Sequence, residues 1–149
     1  MNRRMIFVAL LIALLTTGLL SACAPSGSQA SADGGLKMAH LSDMPAEVRQ
    51  SSVTVQDAYR FNVANPDIMK QIPCYCGCGD MGHTSNYSCY VKSDTDGEIV
   101  VDQHALGCSI CVDITVDTMR MVKEGKPVAE IKTIIDQTYG QFGPSNINP

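Results

Sequence analysis

The stretch Pro73-Cys74-Tyr75-Cys76-Gly77-Cys78-Gly79-Asp80-Met81-Gly82-His83 places three thiols within five residues and then adds a thioether and an imidazole. Cysteines spaced this closely are typical of reactive or metal-binding sites rather than of a packed core. The intervening glycines give the backbone freedom to curl, so several sulfurs can point to one centre. Three more cysteines follow at positions 89, 108 and 111. We therefore predict that six thiols converge on one site and that the rest of the chain positions it.

The donor types in this predicted site favour a soft metal ion. Thiolate and thioether ligands select Cu(I), and bridging sulfurs would let several ions share six cysteines. A single tetrahedral zinc ion needs four ligands and would leave two thiols over, so copper is favoured and zinc is the second candidate. His83 and His104 could each ligate the metal or donate a ring N–H to a thiolate. Asp102 is a candidate to orient His104. The predicted ligands are Cys74, Cys76, Cys78, Cys89, Cys108, Cys111, Met81, His83 and His104.

Two alternatives to metal binding stay open at this stage. Cys108 and Cys111 could be an active dithiol of a thiol-disulfide oxidoreductase, because a helix N-terminus stabilises a thiolate. The six thiols could instead form three disulfides that staple a structural or interaction domain, since secreted domains with an even number of cysteines usually pair them. The sequence has no serine–histidine–acid or paired-carboxylate arrangement, so it gives no support for hydrolysis and does not indicate catalytic turnover.

The first 22 residues have the pattern of a bacterial lipoprotein signal peptide. Arg3 and Arg4 precede a long apolar run, and Leu20-Ser21-Ala22-Cys23 resembles a lipobox, which implies cleavage before Cys23 and lipidation of its sulfur. Acyl chains would then hold the protein on the outer face of the membrane, in the bacterial cell envelope. The remaining chain has nine basic and fifteen acidic residues, a formal charge of −6. That charge does not suit nucleic acid, so the predicted partners are the membrane and a metal-transport or redox protein.

Composition divides the rest of the chain into three parts. Residues 23–52 read as a lipid-anchored tether followed by an irregular segment with one short helix near Ala46–Gln50, since small and polar residues dominate its beginning. Residues 53–142 read as a Cys-rich helical domain. Residues 143–149 are rich in proline and asparagine and read as a flexible tail.

Apolar periodicity and capping residues predict the elements of the helical domain. Thr54-Val55-Gln56-Asp57 resembles a capped helix start, and Asn65-Pro66 should end that helix and begin another. Apolar residues recur at helical spacing over 108–124 and again over 128–139. Two helices joined by about three residues must be antiparallel neighbours. Extended segments on both sides of Asp94-Thr95-Asp96-Gly97 indicate a short β-hairpin. The predicted fold is mainly α, a small helical bundle with an antiparallel helical hairpin, a Cys-rich loop and this β-hairpin.

The hexapeptide Pro73–Cys78 resembles the signature of the PCYCGC-motif proteins, a family of bacterial and often lipid-anchored proteins. The resemblance covers most of residues 55–140, and it implies that the shared positions form one site. Those positions are Asp57-Ala58-Tyr59, Pro66-Asp67, Gly82-His83, Cys89, Asp102 to His104, Cys108 and Cys111.

Residues 106–142 also resemble the small thiol-oxidoreductase protein of bacterial cytochrome c maturation. The likeness lies in Leu106-Gly107-Cys108-Ser109-Ile110-Cys111, in Gly125-Lys126-Pro127 and in Tyr139-Gly140-Gln141-Phe142. It implies a helical hairpin with a redox Cys-x-x-Cys near a helix start. This chain departs from that pattern by its four further cysteines and a histidine upstream.

Overall fold

The computed structural model describes residues 35–95 and 97–147, so the predicted signal peptide, Cys23 and most of the tether lie outside the described residues. The predicted fold class is confirmed, because the described part holds five α-helices and one two-stranded antiparallel sheet. None of the described helices has both the length and the apolar character needed to cross a bilayer. The elements are α1 Ala46–Arg49, α2 Val53–Ala64, α3 Pro66–Met69, β1 Val91–Thr95, β2 Glu98–Val101, α4 Ser109–Lys123 and α5 Val128–Tyr139.

Helix α2 supplies much of the core, with Tyr59 and Phe61 fully buried. It begins two residues earlier than predicted. Ser52, in an extended conformation, accepts a hydrogen bond from the backbone N–H of Val55, and it therefore caps the helix in place of Thr54.

The break at Asn65-Pro66 occurs as predicted, but Asn65 does not cap the second helix. Pro66 occupies the first turn of α3, where its missing N–H costs nothing. The Asn65 side chain instead donates to the backbone oxygens of Lys37 and Phe61, which ties the start of the described chain to the end of α2.

Helices α4 and α5 form the predicted antiparallel hairpin. Gly125, at φ 78°, turns the chain between them, and the backbone N–H of Lys126 donates to the Met121 carbonyl. The Tyr139 hydroxyl donates to Asp117 at 2.8 Å, so the end of α5 lies beside the middle of α4. Ile131 and Ile135 are fully buried in the shared core.

The β-hairpin is present, but its first strand lies later in the chain than predicted and includes Asp94 and Thr95 of the predicted turn. Residues Tyr87–Cys89 form a 3-10 turn, and β1 begins only at Val91. The strands pair from Thr95 opposite Glu98 back to Val91 opposite Val101, and most of their side chains are exposed. The backbone N–H of Asp102 donates to the Tyr90 carbonyl at the base of the hairpin. Residues 102–104 therefore lie next to the cysteine loop.

Candidate metal centre

Three separate segments bring the six cysteines of the domain together. Cys74, Cys76 and Cys78 lie on the loop after α3, and Cys89 lies on the 3-10 turn before β1. Cys108 is the N-cap residue of α4, and Cys111 is in its first turn. All six are free thiols, so the disulfide-stapled alternative has no support within the described residues.

Three of the sulfurs form a nearly equilateral triangle. The Sγ atom of Cys74 is 3.4 Å from that of Cys76 and 3.3 Å from that of Cys111, and Cys76 and Cys111 are 3.5 Å apart. Cys108 extends this group, with its Sγ atom 3.1 Å from that of Cys111. Four thiolates around one zinc ion at about 2.3 Å would be roughly 3.8 Å apart, so a small expansion of this group would admit an ion.

The other two sulfurs form a pair beside the triangle. The Sγ atoms of Cys78 and Cys89 are 3.5 Å apart, and both side chains are buried. Cys89 lies within 4.8 Å of Cys74 and Cys111, and Cys78 lies within 4.8 Å of Cys74 and Cys76. The six sulfurs therefore form one continuous group, which we call the thiol cluster.

Both predicted histidines border the thiol cluster. His104 Nε2 is 3.6 Å from Cys76 Sγ, and its donor atom groups with those of Cys76, Cys108 and Cys111. The donor atoms of His83 and His104 also group with those of Cys78 and Cys89. The two rings meet edge to face with centroids 5.0 Å apart. The cluster thus offers two nitrogens as well as six sulfurs.

Met81 and Asp102 do not take the positions expected of them. Met81 is 57% exposed on the 3-10 turn Cys78–Met81, at the surface rather than within the buried cluster. Asp102 accepts a hydrogen bond from the backbone N–H of His104 rather than from its ring. Its second carboxylate oxygen is 3.8 Å from Nε2 of His83, so it faces the other imidazole.

A buried polar network contacts the backbone carbonyl of Cys111. The Asn86 side chain donates to the Cys111 carbonyl at 3.2 Å, and Thr115 Oγ1 lies 2.8 Å from Asn86 Oδ1. Thr115 also lies 2.9 Å from the Tyr90 hydroxyl and accepts from Asn62 Nδ2 at 3.1 Å. Sequence analysis missed these residues because polar residues at such positions are usually exposed. Their contacts fix the helix turn that carries a central sulfur.

Asn146 is a further site residue that sequence analysis missed. It falls in the segment predicted as a flexible tail, yet it is only 8% exposed. Its Oδ1 accepts from the backbone N–H of Cys74 at 2.7 Å, and its backbone N–H donates to the Cys74 carbonyl at 3.1 Å. Its Nδ2 donates to Cys78 Sγ at 3.5 Å. Asn146, near the end of the described chain, therefore stabilises the cysteine loop through hydrogen bonds.

Hydrogen bonds between the thiols distribute their protons unevenly. The hydrogen bond from Cys111 lowers the pKa of Cys74 to about 7, and the same donor lowers the pKa of Cys78 below its ordinary value. Hydrogen bonds with Cys74, Cys78 and Cys89 raise the pKa of Cys111. Burial raises the pKa of the Cys76 thiol. Without a metal ion, Cys78 and Cys74 therefore lose their protons more readily than Cys111 and Cys76.

The arrangement can hold a metal ion in more than one way. The group of Cys76, Cys108, Cys111 and His104 has the number and type of donors of a tetrahedral zinc site. The all-sulfur triangle offers a three-coordinate site for a soft ion. The Cys/His cluster therefore fits soft-metal binding.

Comparison with known proteins gives one match. A family model described as "Protein of unknown function with PCYCGC motif" matches residues 10–146. The match includes every cysteine and histidine of the site and extends to Asn146. No curated protein and no solved structure matches the chain. The likeness to the cytochrome c maturation protein stays a prediction.

Proposed function

The chain belongs to the family of proteins with the PCYCGC motif, and we propose that it is a lipid-anchored protein of the bacterial cell envelope that holds Cu(I) in its thiol cluster. The observation that carries the proposal is the triangle formed by Cys74, Cys76 and Cys111, with sulfur–sulfur distances of 3.3 to 3.5 Å. Soft thiolate ligands select Cu(I), and a buried group of thiols shields the bound ion from water.

The number of donors favours more than one ion. Six sulfurs and two imidazoles lie in one connected group, whereas a four-coordinate ion uses only half of them. If some sulfurs bridge neighbouring ions, the remaining thiols can also act as ligands. Cys111 is suited to bridging because its sulfur lies close to those of Cys74, Cys76 and Cys108. A protein with this capacity would serve sequestration, storage or handover of copper rather than turnover of a substrate.

The proposed location depends on the lipobox at Leu20-Ser21-Ala22-Cys23. Lipidation of Cys23 would place two or three acyl chains in the membrane, each methylene contributing about 0.8 kcal/mol. The polar residues that follow would act as a tether, so the domain could reach a metal-transport or redox partner in the same membrane.

Metal analysis of the full-length protein, purified anaerobically in detergent, tests this function. We expect several equivalents of Cu(I) to bind, and Cys76→Ser and Cys108→Ser should both lower that number although they lie 32 positions apart. Ser109→Ala is the matched control, because Ser109 is exposed next to Cys108 and offers no soft donor. Three intact disulfides in protein taken from its native envelope, with no reduced fraction, would refute the proposal.

One observation favours a second candidate function, thiol-disulfide exchange. Cys108 and Cys111 have sulfurs 3.1 Å apart at the N-terminus of the 15-residue helix α4, and a cavity of about 340 Å³ opens beside Cys108. A dithiol in that position could attack a disulfide of a partner. In that case Cys108→Ser would abolish exchange while leaving metal loading intact, and Cys76→Ser would leave the reduction potential nearly unchanged.

A further inference from the structure

The thiol cluster has two ends with different donor atoms. At one end lie the triangle of Cys74, Cys76 and Cys111 and the adjoining sulfur of Cys108. At the other end, two sulfurs and two imidazole nitrogens lie within 4.8 Å of one another. This second set, which we call the mixed site, consists of Cys78, His83, Cys89 and His104.

One ring nitrogen of His83, a residue of the mixed site, has no hydrogen-bond partner. Its side chain is 12% exposed, and its Nδ1 atom is buried without a hydrogen-bond partner among the described residues. A buried polar atom left unpaired is costly, and a bound ion would remove that cost. The opposite ring atom, Nε2, is 3.8 Å from the carboxylate of Asp102. Metal-bound histidines commonly present their second nitrogen to a carboxylate in this manner.

Asp102 connects both histidines of the mixed site. One of its oxygens accepts the backbone N–H of His104 at 2.8 Å, and the other faces His83. The Tyr59 hydroxyl donates to the Asp102 backbone carbonyl at 2.8 Å, which anchors this residue to helix α2. The two imidazoles are thus positioned by one well-anchored residue before any ion binds.

We propose that the mixed site is a second metal site, which takes a borderline divalent ion, Zn(II), while the sulfur triangle takes Cu(I). Two thiolates and two imidazoles in tetrahedral arrangement are the donor set of zinc, whereas sulfur alone suits Cu(I). This inference rests on the proposed function for the Cu(I) end and refines it. All six thiols remain ligands, but two ions of different softness divide them.

Stepwise loading of the full-length protein, purified anaerobically in detergent, tests the assignment. Protein first saturated with Cu(I) should still bind about one equivalent of Zn(II) without releasing copper, since the two ions use different donors. Co(II) in place of zinc should show the absorption of a tetrahedral ion with thiolate ligands. Release of one ion for each ion of the other kind would overturn the proposal.

Two substitutions separate the ends of the cluster. His83→Ala should weaken Zn(II) binding at least roughly tenfold, as the loss of even an outer partner of a ligand does, and leave Cu(I) binding unchanged. Cys76→Ser should have the opposite effect. His40→Ala is the matched control, because His40 is exposed and far from the cluster in sequence. Unchanged Zn(II) affinity in His83→Ala would overturn the mixed site.

A measurement on the unaltered chain covers the case in which His83→Ala does not fold. Zn(II) should protect His83 and His104, but not His40, from acylation of the imidazole, as read by mass spectrometry. Equal modification of all three with and without zinc would refute the mixed site. Zinc protection without any Cu(I) binding would retain the mixed site and refute only the proposed copper function.

Discussion

Thr115→Val is the substitution that best tests the buried network beside the candidate metal centre. Thr115 is fully buried, and its hydroxyl lies 2.8 Å from Asn86 Oδ1 and 2.9 Å from the Tyr90 hydroxyl. It accepts from Asn62 Nδ2 at 3.1 Å and is also 3.1 Å from the Cys111 carbonyl. Valine has nearly the same volume but no hydroxyl, so the change removes polar contacts without opening a cavity.

The expected loss of stability follows from the hydrogen-bond partners that lose the Thr115 hydroxyl. A hydroxyl has one proton to donate and two lone pairs to accept with, so it can satisfy three of its four neighbours at once. Each buried group left unsatisfied costs about 1–3 kcal/mol. Taking the lower end for three groups, we expect Thr115→Val to reduce the free energy of unfolding by about 3 kcal/mol.

Urea unfolding of the metal-free, reduced protein measures this loss, with Thr118→Val as the matched control. Thr118 is also fully buried on α4, but its hydroxyl donates only to the Ile114 carbonyl of its own helix. Its replacement should cost less than about 1 kcal/mol, because the carbonyl keeps its helical hydrogen bond. Metal affinity should fall in Thr115→Val as well, since the network supports Cys111. Equal destabilisation by the two substitutions would refute the network argument.

Four further predictions concern the anchor, the cysteine loop and the cluster. Cys23→Ala should release the protein from membranes, because acylation needs that sulfur, and continued membrane association of the variant would contradict the lipoprotein assignment. Gly77→Ala should cost about 1 kcal/mol in urea unfolding, since Gly77 has φ 82°, whereas Gly79→Ala meets only ordinary contacts and should cost little; equal costs would show that the turn is not strained. In metal-free protein, alkylation followed by mass spectrometry should modify the half-buried Cys76 and Cys108 first, and bound Cu(I) and Zn(II) together should protect all six thiols; protection of only one pair would contradict a shared site. Metal affinity, measured by competition with a chelator, should fall as pH decreases, because each bound ion must displace thiol protons, and an affinity independent of pH would argue against thiolate ligands.

The sequence predicts the helices of this domain well because their signals are local. Apolar spacing over 108–124 corresponds to α4, and Gly125 before Lys126-Pro127 corresponds to the turn into α5. The convergence of the thiols could also be predicted, because Cys74, Cys76 and Cys78 share one short loop. Errors at the start of α2 and of β1 amount to a few residues. They arise because Ser52 competes with Thr54 for the cap, and because Tyr87–Cys89 forms a turn whose sequence resembles a strand.

The parts that sequence analysis missed depend on contacts between distant residues. Asn146 hydrogen-bonds with Cys74, 72 positions away, from a segment whose composition resembles a flexible tail. Thr115 and Asn86 are polar residues in the core, where periodicity predicts apolar side chains. Their hydrogen-bond partners come from separate elements, so no local pattern in the sequence reveals them. Such polar residues are the ones that fix the geometry of the site.

The charge of the thiol cluster explains why this core suits a cation. Two thiolates 3.4 Å apart, as Cys74 and Cys76 would be, repel each other by about 5 kcal/mol at an effective dielectric constant of about 20. The metal-free protein avoids this repulsion by keeping protons on Cys76 and Cys111, and Asn146 donates a hydrogen bond to Cys78. A bound cation would replace those protons and turn the repulsion between sulfurs into attraction toward a common centre. The buried thiols are thus costly to ionise alone and favourable to ionise around a metal ion.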